Sequence, residues 1–240
     1  MKPKIAVMYA PGTNCHEETA FAVRTVGGEA EIVLLHDLLD GHAGLGSFQG
    51  MIFPGGFSFG DHIAAGRVYS VQLMARLADS LKSFLAGKHP ILGICNGDQI
   101  LMETGLLPQG AVGRRTGALT QNRSARFEDR WVTLAALDAG FWTQGMQGSK
   151  LRFPSAHGEG RLVCATGDRA REAFVYLDEE GKRTEDYPAN PSGSPQGVAG
   201  LVDATGLVLG LMPHPERAVL PAHGSDDGRR LFENMVRYMQ

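Results

Sequence analysis

Residues 90–102 read Pro-Ile-Leu-Gly-Ile-Cys-Asn-Gly-Asp-Gln-Ile-Leu-Met, an apolar run that ends in Gly-x-Cys-x-Gly and passes directly into a helical pattern. With Ser in place of Cys the same layout is a nucleophile elbow, a tight strand-to-helix turn that lifts its central side chain beyond the edge of a sheet. Gly93 and Gly97 remove the Cβ atoms that would crowd such a turn. A cysteine at the start of a helix also faces unpaired N–H groups, which favour the thiolate and hence nucleophilic attack. A lone cysteine in an apolar run is more often a buried packing residue. The flanking glycines shift the reading of Cys95 to a reactive one.

An elbow of this kind requires a parallel sheet around it, and the N-terminal half supplies the pattern. Ile5 to Tyr9 reads as a buried strand, 11–14 as a turn, and Glu17 to Val26 as a helix with Phe21 and Thr25 on one face, stopped by Gly27-Gly28. Ala30 to Leu35 repeats the strand, so the order implies a right-handed crossover. A third strand, Gly50 to Pro54, leads into Gly55-Gly56-Phe57-Ser58-Phe59-Gly60-Asp61, a loop rich enough in glycine to let backbone N–H groups approach a ligand. It lacks the lysine of a P-loop and the spacing of a dinucleotide fingerprint. Val68 to Ala86 is helical, with apolar residues at 71, 74, 77, 81, 84 and 85, and the fourth strand is Pro90 to Ile94, followed by the elbow helix to about Thr104.

The pattern then changes to short strands: Gly110 to Leu119, Arg130 to Leu137, Leu162 to Thr166 and Ala173 to Leu177. The stretch 187–195 is a loop by composition, and Val198 to Val202 with Leu207 to Met212 forms a hairpin around Asp203-Ala204-Thr205-Gly206. A terminal helix runs from Asp226 to Met239. Between hairpin and helix, Pro213-His214-Pro215-Glu216-Arg217 is held stiff by its prolines at a strand end. If the segment is extended, His214 and Glu216 point the same way, and the carboxylate can fix the tautomer of the imidazole. A cysteine nucleophile needs such a base and such an orienting group.

Composition narrows the possible functions. At 240 residues the chain is expected to form one domain spanning 1–240. A net charge of −3 and the absence of any Lys/Arg run longer than two residues argue against a polynucleotide partner. Three widely spaced cysteines, at 15, 95 and 164, fit a reducing compartment and not a disulfide framework or a cysteine-rich zinc site. Without a signal-like apolar core or a run of membrane length, the protein is expected to be cytoplasmic.

Together, Pro54-Gly55-Gly56, Gly93-Ile94-Cys95-Asn96-Gly97 and Pro213-His214-Pro215-Glu216-Arg217, in this order and spacing, resemble the class I glutamine amidotransferase family. Further stretches, at 11–15, 55–61, 127–131, 156–161 and 212–217, look like the glutaminase subunits of phosphoribosylformylglycinamidine synthase, and the resemblance spans nearly the whole chain. It implies an α/β, flavodoxin-like open and mostly parallel sheet flanked by helices, with a small antiparallel or mixed extension. It makes Cys95 the nucleophile, His214 the general base and acid, and Glu216 the residue that orients His214. The N–H groups of Gly56 and Asn96 become the oxyanion hole, and Gly55, Gln99 and His157 shape the glutamine pocket. For His157 a loop-stiffening role stays equally open. Cys15 lies in the loop after the first strand, near the same sheet edge, without an evident base.

The activity so implied is hydrolysis of L-glutamine to glutamate and ammonia through a cysteinyl thioester. The ammonia passes to an ATP-dependent formylglycinamidine ribonucleotide synthetase subunit, with a small accessory subunit, in purine biosynthesis. No metal or organic cofactor is expected in this subunit, since ATP and Mg belong to the synthetase. Two alternatives remain at this level: a self-sufficient γ-glutamyl hydrolase or peptidase, and a regulatory subunit without turnover. The second is prompted by Asp98, which stands where related sequences usually carry an uncharged residue. Such a carboxylate either caps the helix or opposes the Cys95 thiolate, and the cap is the favoured expectation.

Overall fold

The computed structural model describes residues 2–164 and 171–240. Its first half alternates strand and helix: β1 (Lys4–Tyr9), α1 (His16–Thr25), β2 (Glu29–Leu34), α2 (Leu35–Leu39), β3 (Gly50–Phe53), α3 (Arg67–Ala86), β4 (Ile91–Ile94) and α4 (Asn96–Thr104). Strands then dominate: β5 (Gly117–Thr120), β6 (Glu128–Ala136), β7 (Lys150–His157), β8 (Arg161–Cys164), β9 (Arg171–Leu177), β10 (Val198–Val202) and β11 (Val208–Leu211), closed by α5 (Arg229–Tyr238).

A nine-stranded sheet has the order β2-β1-β3-β4-β11-β10-β9-β6-β7, and β5 pairs with β8 separately. From β2 to β11 every neighbour is parallel. This is the strand order of flavodoxin-like sheets, in which ligand sites lie beyond the carboxyl ends of the strands near the point where the winding reverses. From β11 to β7 every neighbour is antiparallel. The antiparallel strands thus continue the main sheet, and β5 with β8 forms a small separate antiparallel sheet, in keeping with the expected fold class.

Alternation along the strands divides the core between the two faces of the sheet. Ile5 and Val7 of β1 join Ile52, Leu92 and Ile94 beneath Ala20 and Val23 of α1 and Leu231, Phe232 and Met235 of α5. Ala6 and Met8 face the other way, with Met51, Phe53 and Ile91, against Tyr69, Leu73 and Leu81 of α3 and Ile100 and Leu101 of α4. Both faces being covered, the central strands are continuous apolar runs.

The sheet also curls. Four strand spacings separate β11 from β7, roughly 19 Å on a flat sheet. Yet the His214 N–H, just beyond β11, donates to the Pro154 carbonyl of β7 at 2.8 Å. The outer edge therefore folds back over the carboxyl end of β4, where Cys95 stands.

Several expectations need correction. Strand β7 was not anticipated, although Leu151, Phe153, Ser155 and His157 alternate as buried residues. Pro154 masks the pattern, and the structure tolerates it because β7 is an edge strand. The expected strand over 110–119 shrinks to β5, and of the strand expected over 162–166, residues 165 and 166 lie outside the described residues. Phe21 and Thr25 share the outward face of α1, while Thr19, Ala20, Ala22 and Val23 are buried. On α3 Val71 points to solvent, and Tyr69 and Leu73 take the core positions. Among the described residues, no helix is long and apolar enough to cross a membrane.

Candidate active site

Cys95 has φ 52° and ψ −106°, a backbone conformation that a side-chain-bearing residue adopts only when its surroundings force it. The force comes from both flanks. The Cys95 N–H is fixed to the Leu211 carbonyl at 2.8 Å, and its carbonyl accepts from the Gln99 N–H at 3.1 Å as the first bond of α4. Behind the turn, Gly97 rests directly on Phe53 at the end of β3. A Cβ on Gly97 would overlap the Phe53 carbonyl oxygen, so only glycine lets the helix start so close to the strand. Cys95 is buried, and its thiol points to the Ala156 carbonyl of β7 at 3.6 Å.

The other residues reach Cys95 from the neighbouring strand ends. His214 is extended, and residues Pro215–Arg217 then form a single tight turn. The pair is therefore brought together by that turn and not by an extended run through Glu216. His214 Nδ1 meets Glu216 Oε1 at 2.6 Å, and the two side chains are 2% and 0% exposed. Burial opposes charge on this imidazole, but the Glu216 carboxylate and the neighbouring thiols Cys95 and Cys15 more than offset it. The His214 pKa is raised well above its usual value. Among the described residues, His214 Nε2 and Glu216 Oε2 are buried without a regular hydrogen-bond partner.

The glycine-rich loop after β3 is tied to α4 by side-chain amides. Asn96 Oδ1 accepts from the Ser58 N–H at 3.1 Å, while Asn96 Nδ2 donates to Asp61 at 3.3 Å and to Gln99 Oε1 at 2.9 Å. Gln99 Nε2 in turn donates to the Glu159 carbonyl at 2.6 Å. The Gln99 amide is thereby engaged in joining α4 to the segment after β7. His157 is buried, its Nδ1 lies 3.0 Å from Asn122 Oδ1, and burial together with nearby His214 lowers its pKa to about 3. It is a neutral imidazole.

Asp98 does not act as the helix cap expected of it. Its buried Oδ1 is not bonded to the N–H groups of the first turn of α4. It is turned beneath the helix toward β11, where a Cβ on Gly210 would overlap its carboxyl, and among the described residues Oδ1 has no hydrogen-bond partner. Burial raises its pKa to about 8, so that it is mainly the neutral acid at pH 7. A second correction concerns Cys15. Its thiol does have a base beside it, since Cys15, His214 and Glu216 each present a ligand-type atom within 4.8 Å of the others.

A thiol, an imidazole and a carboxylate so placed can carry out acyl transfer at a carboxamide. Residues 2–239 match the family described as the CobB/CobQ-like glutamine amidotransferase domain. This chain belongs to the glutamine amidotransferases. It is 39% identical to phosphoribosylformylglycinamidine synthase subunit PurQ of Dehalococcoides mccartyi, over 99% of this chain and 98% of that one. The PurQ subunit of Pyrococcus furiosus is also 39% identical, with 99% of both chains covered. A chain of the PurLQS structure from Thermotoga maritima superposes with a TM-score of 0.83 at 33% identity, covering 100% of each.

Within this amidotransferase, Cys95, His214, Glu216, Gly55, Gly56 and Asn96 gather at the carboxyl ends of β3, β4 and β11, and β7 brings His157 to the same place. Sequence reasoning missed Asn122, whose side chain holds the His157 carbonyl at 2.8 Å and the Gly160 N–H at 3.0 Å. It sits in a turn between strands, where an asparagine is unremarkable, and nothing in the sequence marks it out. The Ala156 carbonyl was missed for the same reason as the strand that carries it.

Proposed function

We infer that this chain is the glutaminase subunit of phosphoribosylformylglycinamidine synthase, with residues 1–240 acting as one domain in the cytoplasm. The observation that carries the catalytic reading is the strained Cys95 at the elbow together with His214 locked to Glu216 at 2.6 Å. Whole-length identity to PurQ subunits supports a synthase subunit over a stand-alone γ-glutamyl hydrolase.

In this reading the Cys95 thiolate attacks the carboxamide carbon of glutamine, and the oxyanion is held by the N–H groups of Gly56 and Asn96. The protonated His214 gives its proton to the departing nitrogen, ammonia leaves, and a γ-glutamyl thioester remains on Cys95. His214, neutral again, draws a proton from water, which attacks the thioester and releases glutamate. Glu216 keeps the imidazole in one orientation through both halves. Gly55 lies against the His214 ring, and Gln99 and His157 set the walls of the glutamine pocket. The ammonia serves an ATP-dependent synthetase subunit, which converts formylglycinamide ribonucleotide to formylglycinamidine ribonucleotide with a small accessory subunit.

The test is to quench the assembled synthase during glutamine turnover and examine the peptide containing Cys95 by mass spectrometry. A γ-glutamyl adduct on Cys95 is expected, and an adduct on Cys15 instead would overturn the assignment.

A further inference from the structure

The mechanism leaves Cys15 unused, although its surroundings are unlike those of a packing cysteine. It is 1% exposed, yet its sulfur is bordered by polar atoms: Arg217 Nη2 at 3.0 Å and Asn14 Oδ1 at 3.1 Å. The N–H of Cys15 is fixed to the Gly55 carbonyl at 3.1 Å, which ties the loop after β1 to the loop after β3. Gly55 packs closely against both the thiol and the imidazole and so keeps them side by side. A Cβ there would come 3.1 Å from Cys15 Sγ and 2.7 Å from His214 Cε1.

We propose that Cys15, His214 and Glu216 form an inhibitory site for a thiophilic divalent cation of the Zn²⁺ class. The three ligand-type atoms lie within 4.8 Å of one another, a separation that small side-chain movements can close around a cation. Among the described residues the buried Glu216 Oε2 has no hydrogen-bond partner, and His214 Nδ1 becomes available to a cation that displaces the proton it shares with Glu216 Oε1. One sulfur, one nitrogen and one carboxylate oxygen suit zinc better than the all-oxygen cations magnesium and calcium. Asn14 Oδ1 or water can complete a tetrahedron. Binding exchanges the Cys15 proton for the metal and releases it to solvent, so affinity rises with pH. Burial raises the Cys15 pKa, an effect that His214 and Arg217 oppose only in part, so the cation itself must displace the proton.

The consequence rests on the proposed catalytic reading. A cation on His214 and Glu216 withdraws both from proton transfer and leaves Cys95 without its base. The subunit is then silenced reversibly while its fold stays intact. A chelator restores activity.

The full-length chain carrying Cys95→Ser, treated with chelator and dialysed, is titrated with Co²⁺, whose thiolate charge-transfer absorption reports a sulfur ligand. One Co²⁺ per chain with that absorption, displaced by Zn²⁺, is expected, because the catalytic thiol is not a ligand. Adding Cys15→Ser, or Cys15→Ala, should abolish the absorption and weaken Zn²⁺ competition at least about 100-fold. In the assembled synthase with Cys95 intact, Cys15→Ser should raise the Zn²⁺ concentration for half-inhibition of glutamate release by a similar factor, each protein being compared with itself without metal. Loss of the absorption in Cys95→Ser, or an unchanged half-inhibition in Cys15→Ser, overturns the proposal. The Co²⁺ signal does not depend on turnover, so an error in the catalytic reading would show separately.

Discussion

The 2.6 Å contact between His214 Nδ1 and Glu216 Oε1 is made across a single tight turn, with both side chains almost wholly removed from solvent. Such a contact leaves only Nε2 to exchange protons. It also stabilises the imidazolium that forms when Cys95 ionises.

Glu216→Gln should therefore slow glutamine hydrolysis less than His214→Ala does: by about 10³- to 10⁴-fold, against about 10⁵- to 10⁶-fold for loss of the base. The pH profile carries a further sign. Burial works against the His214 cation, and Glu216 is the leading group that raises its pKa. Removing that charge lets the pKa fall, so the alkaline limb of kcat/KM moves to lower pH. A limb that stayed in place would mean that Glu216 does not set the charge of the base.

Gly97→Ala should destabilise the chain by about 3–5 kcal/mol, since a methyl group would overlap the Phe53 carbonyl oxygen and either β3 or α4 must shift. Urea denaturation of the purified chain measures this. A loss below about 1 kcal/mol would show that α4 is not seated on the strand as described.

Asp98 makes stability depend on pH in an unusual direction. Its carboxyl keeps a proton up to about pH 8 when folded, against an ordinary value of 3.8, because burial penalises the anion. Between those two values the folded state binds the extra proton, so Asp98 lowers stability progressively as pH rises through the window. Asp98→Asn should flatten that decline and be more stable than the parent by several kcal/mol near pH 8, with the advantage fading toward pH 4. Thermal melts at four pH values across the window check this. A variant uniformly less stable at every pH would instead restore the cap.

The elbow was legible in the sequence because its chemistry is local: two glycines two residues either side of Cys95, an apolar strand before and a helix after. The parallel half was legible for the same reason, each strand and helix being separated by its own turn signals. What could not be read is the return of β7 over the site, because the bond from His214 to Pro154 joins residues 60 apart in sequence through the curl of a whole sheet. The neighbours of Cys15 were hidden likewise. Its contact with Arg217 spans 202 residues, and no spacing rule reaches that far. Asp98 was misread because a carboxylate in a first helical turn ordinarily faces solvent or the N–H groups, whereas here β11 passes beneath the helix and buries it.

The most direct test of the account is Cys95→Ala in the assembled synthase, assayed side by side with glutamine and with added ammonia as the nitrogen source. The thiol is required only to free ammonia from glutamine. The account predicts that glutamine-dependent amidation is lost while the ammonia-dependent rate is kept. Loss of both, or retention of the glutamine-dependent rate, would contradict it.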